Sequence, residues 1–194
     1  MFAREENISA FLRVLDPTDD VTGGGTASAV AGAMAAGLVA MVARLSIGKK
    51  GMEDEIDYRA IDDESQRLSA TLFTGGREDS EAFQAVRAAY RQAGGDTESR
   101  ASRREQIQRA VILAARVPLK NAEACKEVLE LCARLEGYSS PNAESDLECA
   151  CHLARAGLLG CLANVEINLG SLEDDKQCRR LWERVRALRT YAQQ

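Results

Sequence analysis

The sequence predicts an all-α fold, a single-domain multi-helix bundle built around two central helices rich in small residues. Apolar residues recur at helical spacing along most of the chain, and the alternating pattern of strands is nearly absent. No Pro-, Gly- or Ser-rich linker divides the chain, so residues 1–194 are expected to form one domain. A composition of 45% hydrophobic and 28% charged residues supplies enough apolar material for a core.

The periodicity predicts seven helices, at residues 5–15, 26–48, 53–73, 77–92, 97–135, 143–169 and 172–191. The second helix carries small residues at three- and four-residue intervals, namely Ala29, Gly32, Ala33, Ala36, Gly37 and Ala40. Other helices can therefore approach its backbone closely. We interpret it as a buried helix rather than a membrane span, because Ala and Gly contribute little to insertion and Arg44 and Lys49 follow closely.

The segment 143–169 repeats this pattern and is the second candidate for the centre of the bundle, with Ala150, Ala154, Gly157, Gly160 and Ala163. The segments 53–73 and 97–116 mix charges with spaced apolar residues and are expected to be amphipathic outer helices, with Ile56, Ile61, Leu68, Ile107, Val111 and Leu113 facing inward. Pro118 is expected to kink or divide the long fifth helix.

Charge and cysteine usage exclude several function classes. The 25 basic and 30 acidic residues are interspersed and give a formal charge of −5, so nucleic acid is not an expected partner. The amino terminus lacks the pattern of a secretory signal, and a cytoplasmic protein is expected. The six cysteines form no CxxC pair and accompany a single histidine, His152, so free thiols are expected and no metal site.

Two glycine-rich segments flank the second helix. Thr22 precedes Gly23, Gly24, Gly25 and Thr26, and the exposed N–H groups there suit an anionic or strongly accepting ligand group. A flexible turn with Thr26 as an ordinary helix cap is the alternative. At the other end, Gly48-Lys49-Lys50-Gly51 either terminates the helix and complements its dipole or holds a ligand carboxylate through Lys49 or Lys50.

Polar residues in three further places are candidates for chemistry. Asp79 begins the segment in which Phe83, Val86 and Tyr90 form an expected buried stripe, so it is either a charge at a helix N-terminus or an acid/base group beside an apolar cleft. Asn142, Ser145 and Asp146 stand where the sixth helix begins. Within that helix Asn164 and Asn168 lie at an i, i+4 spacing, and these two amides either tie helices together or bind a ligand ring.

Taken together, GGGTASAVAGAMAAGLVAMVARLSIGKK, DSEAFQAV, VPL at 117–119, PNAESD and NVEINLGS resemble, in order and spacing, the family of formiminotetrahydrofolate cyclodeaminases and methenyltetrahydrofolate cyclohydrolases. The resemblance covers about residues 9–175. It implies an all-helical enzyme of one-carbon folate metabolism that forms a homodimer or larger assembly, with a folate derivative as ligand and no cofactor beyond the tetrahydrofolate substrate.

The resemblance also implies roles for individual residues. Asp79 matches the family's proposed acid/base carboxylate, and the positions expected around the folate are Gly23, Gly24, Gly25, Thr26, Lys49, Lys50, Asn142, Ser145, Asp146, Asn164 and Asn168. The expected reaction is hydrolysis of 5,10-methenyltetrahydrofolate to 10-formyltetrahydrofolate, with formiminotetrahydrofolate cyclodeamination or a non-catalytic folate-binding scaffold as alternatives. The chain departs from the family's pattern at Thr22, where proline is usual, at Ser140, and at Gln92-Ala93-Gly94, where Leu-Pro-Lys is frequent.

Overall fold

The computed structural model describes residues 2–48, 56–92 and 97–193, which form six α-helices and one short 3-10 helix and contain no strand. In chain order they are α1 (Phe2–Val14), α2 (Gly24–Ser46), α3 (Tyr58–Arg91), α4 (Thr97–Leu135), the 3-10 turn Pro141–Ala143, α5 (Glu144–Leu169) and α6 (Asp175–Ala192). One buried apolar cluster takes residues from α2 through α6. The predicted all-α bundle is confirmed.

The two helices rich in small residues are the centre of the bundle, as predicted. α2 packs against α3, α4 and α5, and α5 packs against α2, α4 and α6. At Gly157 of α5 an added Cβ would lie 2.8 Å from the Ser28 carbonyl oxygen and 3.1 Å from the Gly32 nitrogen of α2, so only glycine permits this backbone approach.

α2 and α5 run antiparallel. Gly25, near the start of α2, lies against Asn164 in the last part of α5. At the other end of α2, the hydroxyl of Ser46 accepts a hydrogen bond of 2.9 Å from the backbone N–H of Ser140, just before α5. The start of α2 and the end of α5 therefore lie at one end of the molecule, and the end of α2 and the start of α5 lie at the other.

The predicted break between the third and fourth helices is wrong, because residues 58–91 form the single helix α3 with Gly75 and Gly76 in its middle. The glycines serve close packing. An added Cβ at Gly75 would collide with the Asn121 side chain of α4, and one at Gly76 would lie 3.4 Å from the Thr26 carbonyl oxygen of α2. Asp79 is therefore a mid-helix residue, and its interpretation as a charge at a helix N-terminus is also wrong.

The predicted apolar stripe of α3 is wrong as well. Phe83 and Tyr90 are exposed, and Asp79 with the alanines Ala82 and Ala89 takes the inner face. Leu113 of α4 is likewise exposed, whereas the other residues predicted on the inner faces of the outer helices are buried or partly buried. The inner face of α3 carries small and polar side chains where its neighbours come close.

Two helix-breaking signals have different outcomes. Pro118 is buried inside α4, which continues through it from Thr97 to Leu135, so the proline does not divide the helix. Gly48 follows the end of α2 with a φ of 76°, the left-handed conformation expected of a glycine that terminates a helix. Lys49, Lys50 and Gly51 lie outside the described residues.

α2 is long and apolar enough to cross a membrane by length and composition alone. In its most apolar 18-residue window, 61% of the residues are buried inside the protein, as in the core helix of a bundle. Its contacts with α1, α3, α4 and α5 account for this apolar character without a membrane.

Candidate functional site

Where α2 begins, a cleft of about 470 Å³ opens between α2, α3, α4 and α5. Its walls are formed by the loop before α2, the middle of α3 and the last turns of α5, with Ala114 from α4. The predicted site residues that line it are Gly23, Gly24, Gly25, Asp79, Asn164 and Asn168. With Thr26, whose hydroxyl lies 3.3 Å from Asp79 Oδ2, the structure brings together seven of the twelve predicted site residues.

Gly25 is the point at which three helices meet. An added Cβ there would collide with the Asn164 amide nitrogen and with both carboxylate oxygens of Asp79. Gly23 and Gly24 have open space on the side where a Cβ would stand. The third glycine of the motif is therefore required by packing, whereas the first two leave room along the cleft wall.

Asp79 is a buried carboxylate, with 8% of its surface exposed. Its Oδ1 accepts a hydrogen bond of 3.0 Å from Asn164 Nδ2, and the backbone N–H of Thr26 also donates to it. The Thr26 hydroxyl lies 3.0 Å from the Gly76 carbonyl oxygen and 3.3 Å from Asp79 Oδ2. Burial raises the pKa of Asp79 to about 6, and the bonds from Thr26 oppose the shift without cancelling it.

The start of α2, predicted to bind an anionic ligand group, binds a carboxylate of the protein itself. Thr26 stands inside the first turn of α2, and its N–H is directed to Asp79, so the anion at this helix N-terminus is the protein's own carboxylate. The alternative in which Thr26 caps the helix is wrong, because the N-cap residue is Gly23.

The two asparagines of α5 form a chain of hydrogen bonds that ends on Asp79. Asn168 Nδ2 donates to the Asn164 side-chain oxygen at 3.3 Å, and it also lies 3.1 Å from the Ala114 carbonyl oxygen and 2.8 Å from that of Asn164. With its oxygen held in this way, Asn164 directs its amide nitrogen to Asp79. The amides tie α5 to α3 and α4 and fix the orientation of the carboxylate.

The loop before α2 is held by Asp19. Its Oδ1 accepts from the backbone N–H groups of Val21 and Thr22 at 2.8 and 3.0 Å, and Arg13 donates to its Oδ2. The Arg13 bond and these N–H groups lower the pKa of Asp19 to about 2. A proline at position 22 could not donate, so Thr22 adds a bond that the usual family residue lacks.

The cleft is acidic. Asp19, Asp20 and Asp79 all line it, and none of the described residues along its walls is Lys or Arg. Arg13 and Arg87 bind the two rim carboxylates from outside, whereas the side chains that bond Asp79 are the uncharged Thr26 and Asn164. Such a cleft favours a ligand that carries positive charge at the point facing Asp79.

Three further predicted residues lie away from this cleft. Asn142 and Ser145 are exposed and Asp146 is half-buried, all three near the start of α5. Since Asp146 and Asn164 are 18 positions apart on one helix, about 27 Å separates them. Lys49 and Lys50 follow the far end of α2 and lie outside the described residues.

Comparison with known proteins identifies the family. The profile of the family described as formiminotransferase-cyclodeaminase matches residues 7–187. The chain belongs to this family. It is 38% identical over 173 residues to a methenyltetrahydrofolate cyclohydrolase of Methylorubrum extorquens, covering 89% of this chain and 83% of that protein. It is 28% identical to the formimidoyltransferase-cyclodeaminase of Rattus norvegicus over 88% of this chain, which spans about a third of that longer protein (32%).

A solved member of the family has the same fold. The crystal structure of formiminotetrahydrofolate cyclodeaminase from Thermotoga maritima superposes with a TM-score of 0.83 at 27% identity, covering 94% of this chain and 88% of that one. The resemblance inferred from the motifs is therefore confirmed by sequence and by structure.

Sequence reasoning missed several residues of the site. Asp19 precedes the N–H groups it binds by two and three positions, an Asx-turn spacing that the run of turn residues at 16–20 could have indicated. Phe83 and Ile167 also line the cleft. Ile167 is 75% exposed, and no local pattern distinguishes it from a core residue.

Within the described ranges, no group of three or more His, Cys, Asp and Glu side chains is arranged to hold a metal ion. The acids of the cleft are bound to arginine or to amide donors instead.

Proposed function

We propose that this enzyme of folate one-carbon chemistry hydrolyses 5,10-methenyltetrahydrofolate to 10-formyltetrahydrofolate, with Asp79 as the acid/base group. The observation that carries the proposal is the buried carboxylate of Asp79, held in an acidic cleft by Asn164 and Thr26, with a pKa raised to about 6. A general base is most effective when its pKa lies near the working pH.

The proposed reaction begins with the cationic one-carbon bridge of the substrate facing Asp79. Water attacks the bridging carbon while ionised Asp79 accepts one of its protons, giving a neutral tetrahedral adduct. Protonated Asp79 then donates to the ring nitrogen N5 as the carbon–N5 bond breaks, and the adduct hydroxyl releases its proton to solvent as the formyl carbonyl forms. Atoms balance, with one water consumed and one proton released, and no metal or redox cofactor takes part.

Other residues of the cleft have supporting roles in this proposal. Asn164 and Asn168 hold the carboxylate in one orientation, as their hydrogen bonds allow. The exposed apolar side chains of Phe83 and Ile167 offer contact to flat ring systems, and the open faces of Gly23 and Gly24 leave space for them. Aromatic and aliphatic walls around a few fixed polar groups are usual for small-molecule sites.

The second candidate is formiminotetrahydrofolate cyclodeaminase activity. It is favoured by the name of the solved relative from Thermotoga maritima and by those of the longer formimidoyltransferase-cyclodeaminases. In that reaction the same carboxylate would protonate the departing amine, so the cleft serves either chemistry. We prefer the hydrolase because the cyclohydrolase relative is more similar to this chain and matched over most of its own length.

The non-catalytic scaffold is less well supported than either enzyme. Its motivation at Ser140 is weak, because this residue lies at the far end of α2, bonded through its N–H to Ser46 and away from the cleft. The other departure, at Gly94, lies outside the described residues.

A paired substrate assay tests the proposal. Purified protein is expected to accelerate the loss of methenyl absorbance in a buffer that suppresses spontaneous hydrolysis, and to release little ammonia from formiminotetrahydrofolate. Ammonia release as the faster reaction would favour the cyclodeaminase. If wild type and Asp79→Asn both match the buffer blank while each binds the folate, the catalytic proposal is wrong and the scaffold is favoured.

We also propose that the chain forms a homodimer. A groove of about 770 Å³ between α1, α2 and α3 is lined by apolar residues that include Phe11, Met34 and Phe73, and Ile8 and Leu12 of α1 are exposed nearby. Covering such a surface with a second copy removes apolar area from water. Light scattering should give twice the chain mass, and Met34→Lys should lower it, whereas a wild-type monomer at micromolar concentration would contradict the proposal.

A further inference from the structure

Four of the six cysteines face each other in two pairs across the interface of α4 and α5. The pKa of the Cys161 thiol is raised by the neighbouring Cys125, and the pKa values of Cys132 and Cys151 are shifted by each other, so the members of each pair are neighbours. Cys125 and Cys132 lie on α4, and Cys161 and Cys151 lie on α5. The chain therefore holds two thiol pairs of similar arrangement in one interface.

The two pairs differ in how accessible their thiols are to small molecules. Cys125 and Cys161 are both fully buried. Cys132 is also buried, but Cys151 is only half-buried, and both line a cavity of about 530 Å³. The walls of this cavity include Leu129, Glu136, Arg155 and Tyr191. A small polar molecule can reach the second pair and not the first.

This cavity is separate from the folate cleft. Cys151 and Asn164 are 13 positions apart on α5, which corresponds to about 20 Å along the helix. No residue lines both. Whatever occurs at this thiol pair is therefore not part of the proposed hydrolysis.

The surroundings favour a thiolate on Cys151. The hydrogen bond from Cys132 lowers the pKa of Cys151 to about 7, with a smaller contribution from Arg155, while burial and Glu136 oppose it. The same hydrogen bond and burial raise the pKa of Cys132. In the buried pair, the bond to Cys125 and burial raise the pKa of Cys161. A thiolate is the reactive form of cysteine, so Cys151 is the nucleophile of its pair.

We propose that Cys132 and Cys151 form a peroxide-reactive dithiol that closes to a reversible disulfide between α4 and α5. Three features support this assignment, namely the facing thiols, the cavity that opens on them, and the guanidinium of Arg155 on its wall. The oxidant is hydrogen peroxide, a molecule small enough for the cavity. The site is independent of the folate cleft and adds a second chemistry to the chain.

The reaction has two steps. The Cys151 thiolate attacks one oxygen of hydrogen peroxide, the O–O bond breaks, and the departing hydroxide takes a proton from solvent, leaving Cys151 as a sulfenic acid. The Cys132 sulfur then attacks the Cys151 sulfur, an S–S bond forms as the S–O bond breaks, and the leaving hydroxide takes the Cys132 proton. In total two thiols and one peroxide give one disulfide and two waters, the two electrons passing from sulfur to oxygen.

Peptide mapping after peroxide treatment tests the proposal. Cys149 and Cys151 fall in the same tryptic peptide, residues 135–155, so the experiment uses Cys149→Ser. After treatment with a slight excess of hydrogen peroxide, unfolding and alkylation, we expect this peptide to be linked to peptide 127–134, which contains Cys132. The intact chain should lose two hydrogen atoms, and dithiothreitol should restore both thiols.

The buried pair is the matched control. Cys125 and Cys161 should stay reduced and be alkylated in full after the same treatment, since both thiols are fully buried. In Cys149→Ser/Cys132→Ser, Cys151 has no partner thiol and should accumulate as a sulfenic acid trapped by dimedone.

Two results would overturn the assignment. One is full alkylation of Cys132 and Cys151 after peroxide treatment that oxidises other thiols of the chain. The other is a Cys125–Cys161 disulfide formed as fast as the proposed one, which would show that the cavity does not select the reactive pair. Neither result depends on folate turnover, so the proposed hydrolase is tested separately.

Discussion

The two ends of the α2–α5 helix pair differ, although the sequence motifs at both ends match the same family. At one end Gly25, Asp79 and Asn164 converge from three helices, buried or half-buried, and the Asn164 amide donates a hydrogen bond to Asp79. At the other end Asn142 and Ser145 are exposed. One end is an assembled site, and the other is a polar surface.

The order of motifs along a chain therefore does not define a site. α2 and α5 are antiparallel, and the two ends of the pair are about 35 Å apart for helices of 23 and 26 residues. A single copy of the chain cannot bring both ends to one folate. If residues such as Asp146 contact the ligand, they do so from a second copy, which the proposed dimer could supply.

The largest expected effect is on kcat. It is measured by removing one carboxylate from each end of the helix pair. Asp79→Asn should lower kcat by about 100- to 10,000-fold, the usual contribution of one acid/base group. Asp146→Asn, at the opposite end, should stay within about threefold of wild type, since surface changes away from a site have small effects. Equal losses in the two variants, with both folded by circular dichroism, would show that the far end belongs to the site.

The next largest expected effect is on the free energy of unfolding. The pKa of Asp79 is raised from 3.8 to about 6 in the folded protein, so between about pH 4 and pH 6 the native state binds more protons than the unfolded state. Wild type should therefore lose stability relative to Asp79→Asn as the pH rises through this range, by about 3 kcal/mol for a shift of about two units.

Urea unfolding at pH 4, 5, 6 and 7 measures this difference. Asp146→Asn is the matched control and should keep the pH dependence of wild type, because Asp79 is intact in it. A constant difference between wild type and Asp79→Asn across the range would mean that the carboxylate is not destabilised by burial. The same pKa predicts that wild-type activity falls below about pH 6, where protonated Asp79 can no longer accept a proton.

Much of the fold could be predicted because residue size determines how closely the helices pack. The small residues of α2 and α5 predicted close helix contacts, and Gly32 and Gly157 make them. The same logic failed at Gly75 and Gly76, where local propensity favours a break. There the contacts with Thr26 and Asn121 of neighbouring helices override propensity, and only tertiary structure contains this information.

The site was predicted as a set of residues but not as an arrangement. Asp79, Asn164 and Asn168 were all candidates, yet the chain of hydrogen bonds between them depends on how α3 and α5 pack. Phe83 was predicted in the core because apolar residues usually mark the inner face of a helix. In α3 the inner face is taken by Asp79 and Ala82, since α2 and α4 leave no room there for large side chains.

A smaller effect is expected from Gly25→Ala. The added methyl group would displace Asn164 or Asp79 from their present positions, and a misplaced catalytic group lowers kcat by about 30- to 100-fold. Gly37→Ala is the matched control, because Gly37 is exposed on the same helix and a Cβ added there would lie 4.0 Å from the Ser69 hydroxyl, an ordinary van der Waals contact. This control should keep wild-type kcat and gain up to about 1 kcal/mol of stability. Full activity in Gly25→Ala would contradict the close convergence at this glycine.

The smallest expected change in kcat comes from removing one amide side chain from each end of the helix pair. Asn168 acts on Asp79 through Asn164, so Asn168→Ala should lower kcat about tenfold, whereas Asn142→Ala should leave it unchanged. If Asn168 has a purely structural role, Asn168→Ala should lower only the stability of the protein. A positioning role would also move the acid limb of the pH–rate profile upward, because a less firmly held Asn164 stabilises ionised Asp79 less well and its pKa rises further. An unchanged limb together with a lower melting temperature would assign Asn168 to packing and leave Asn164 as the only amide that orients the carboxylate.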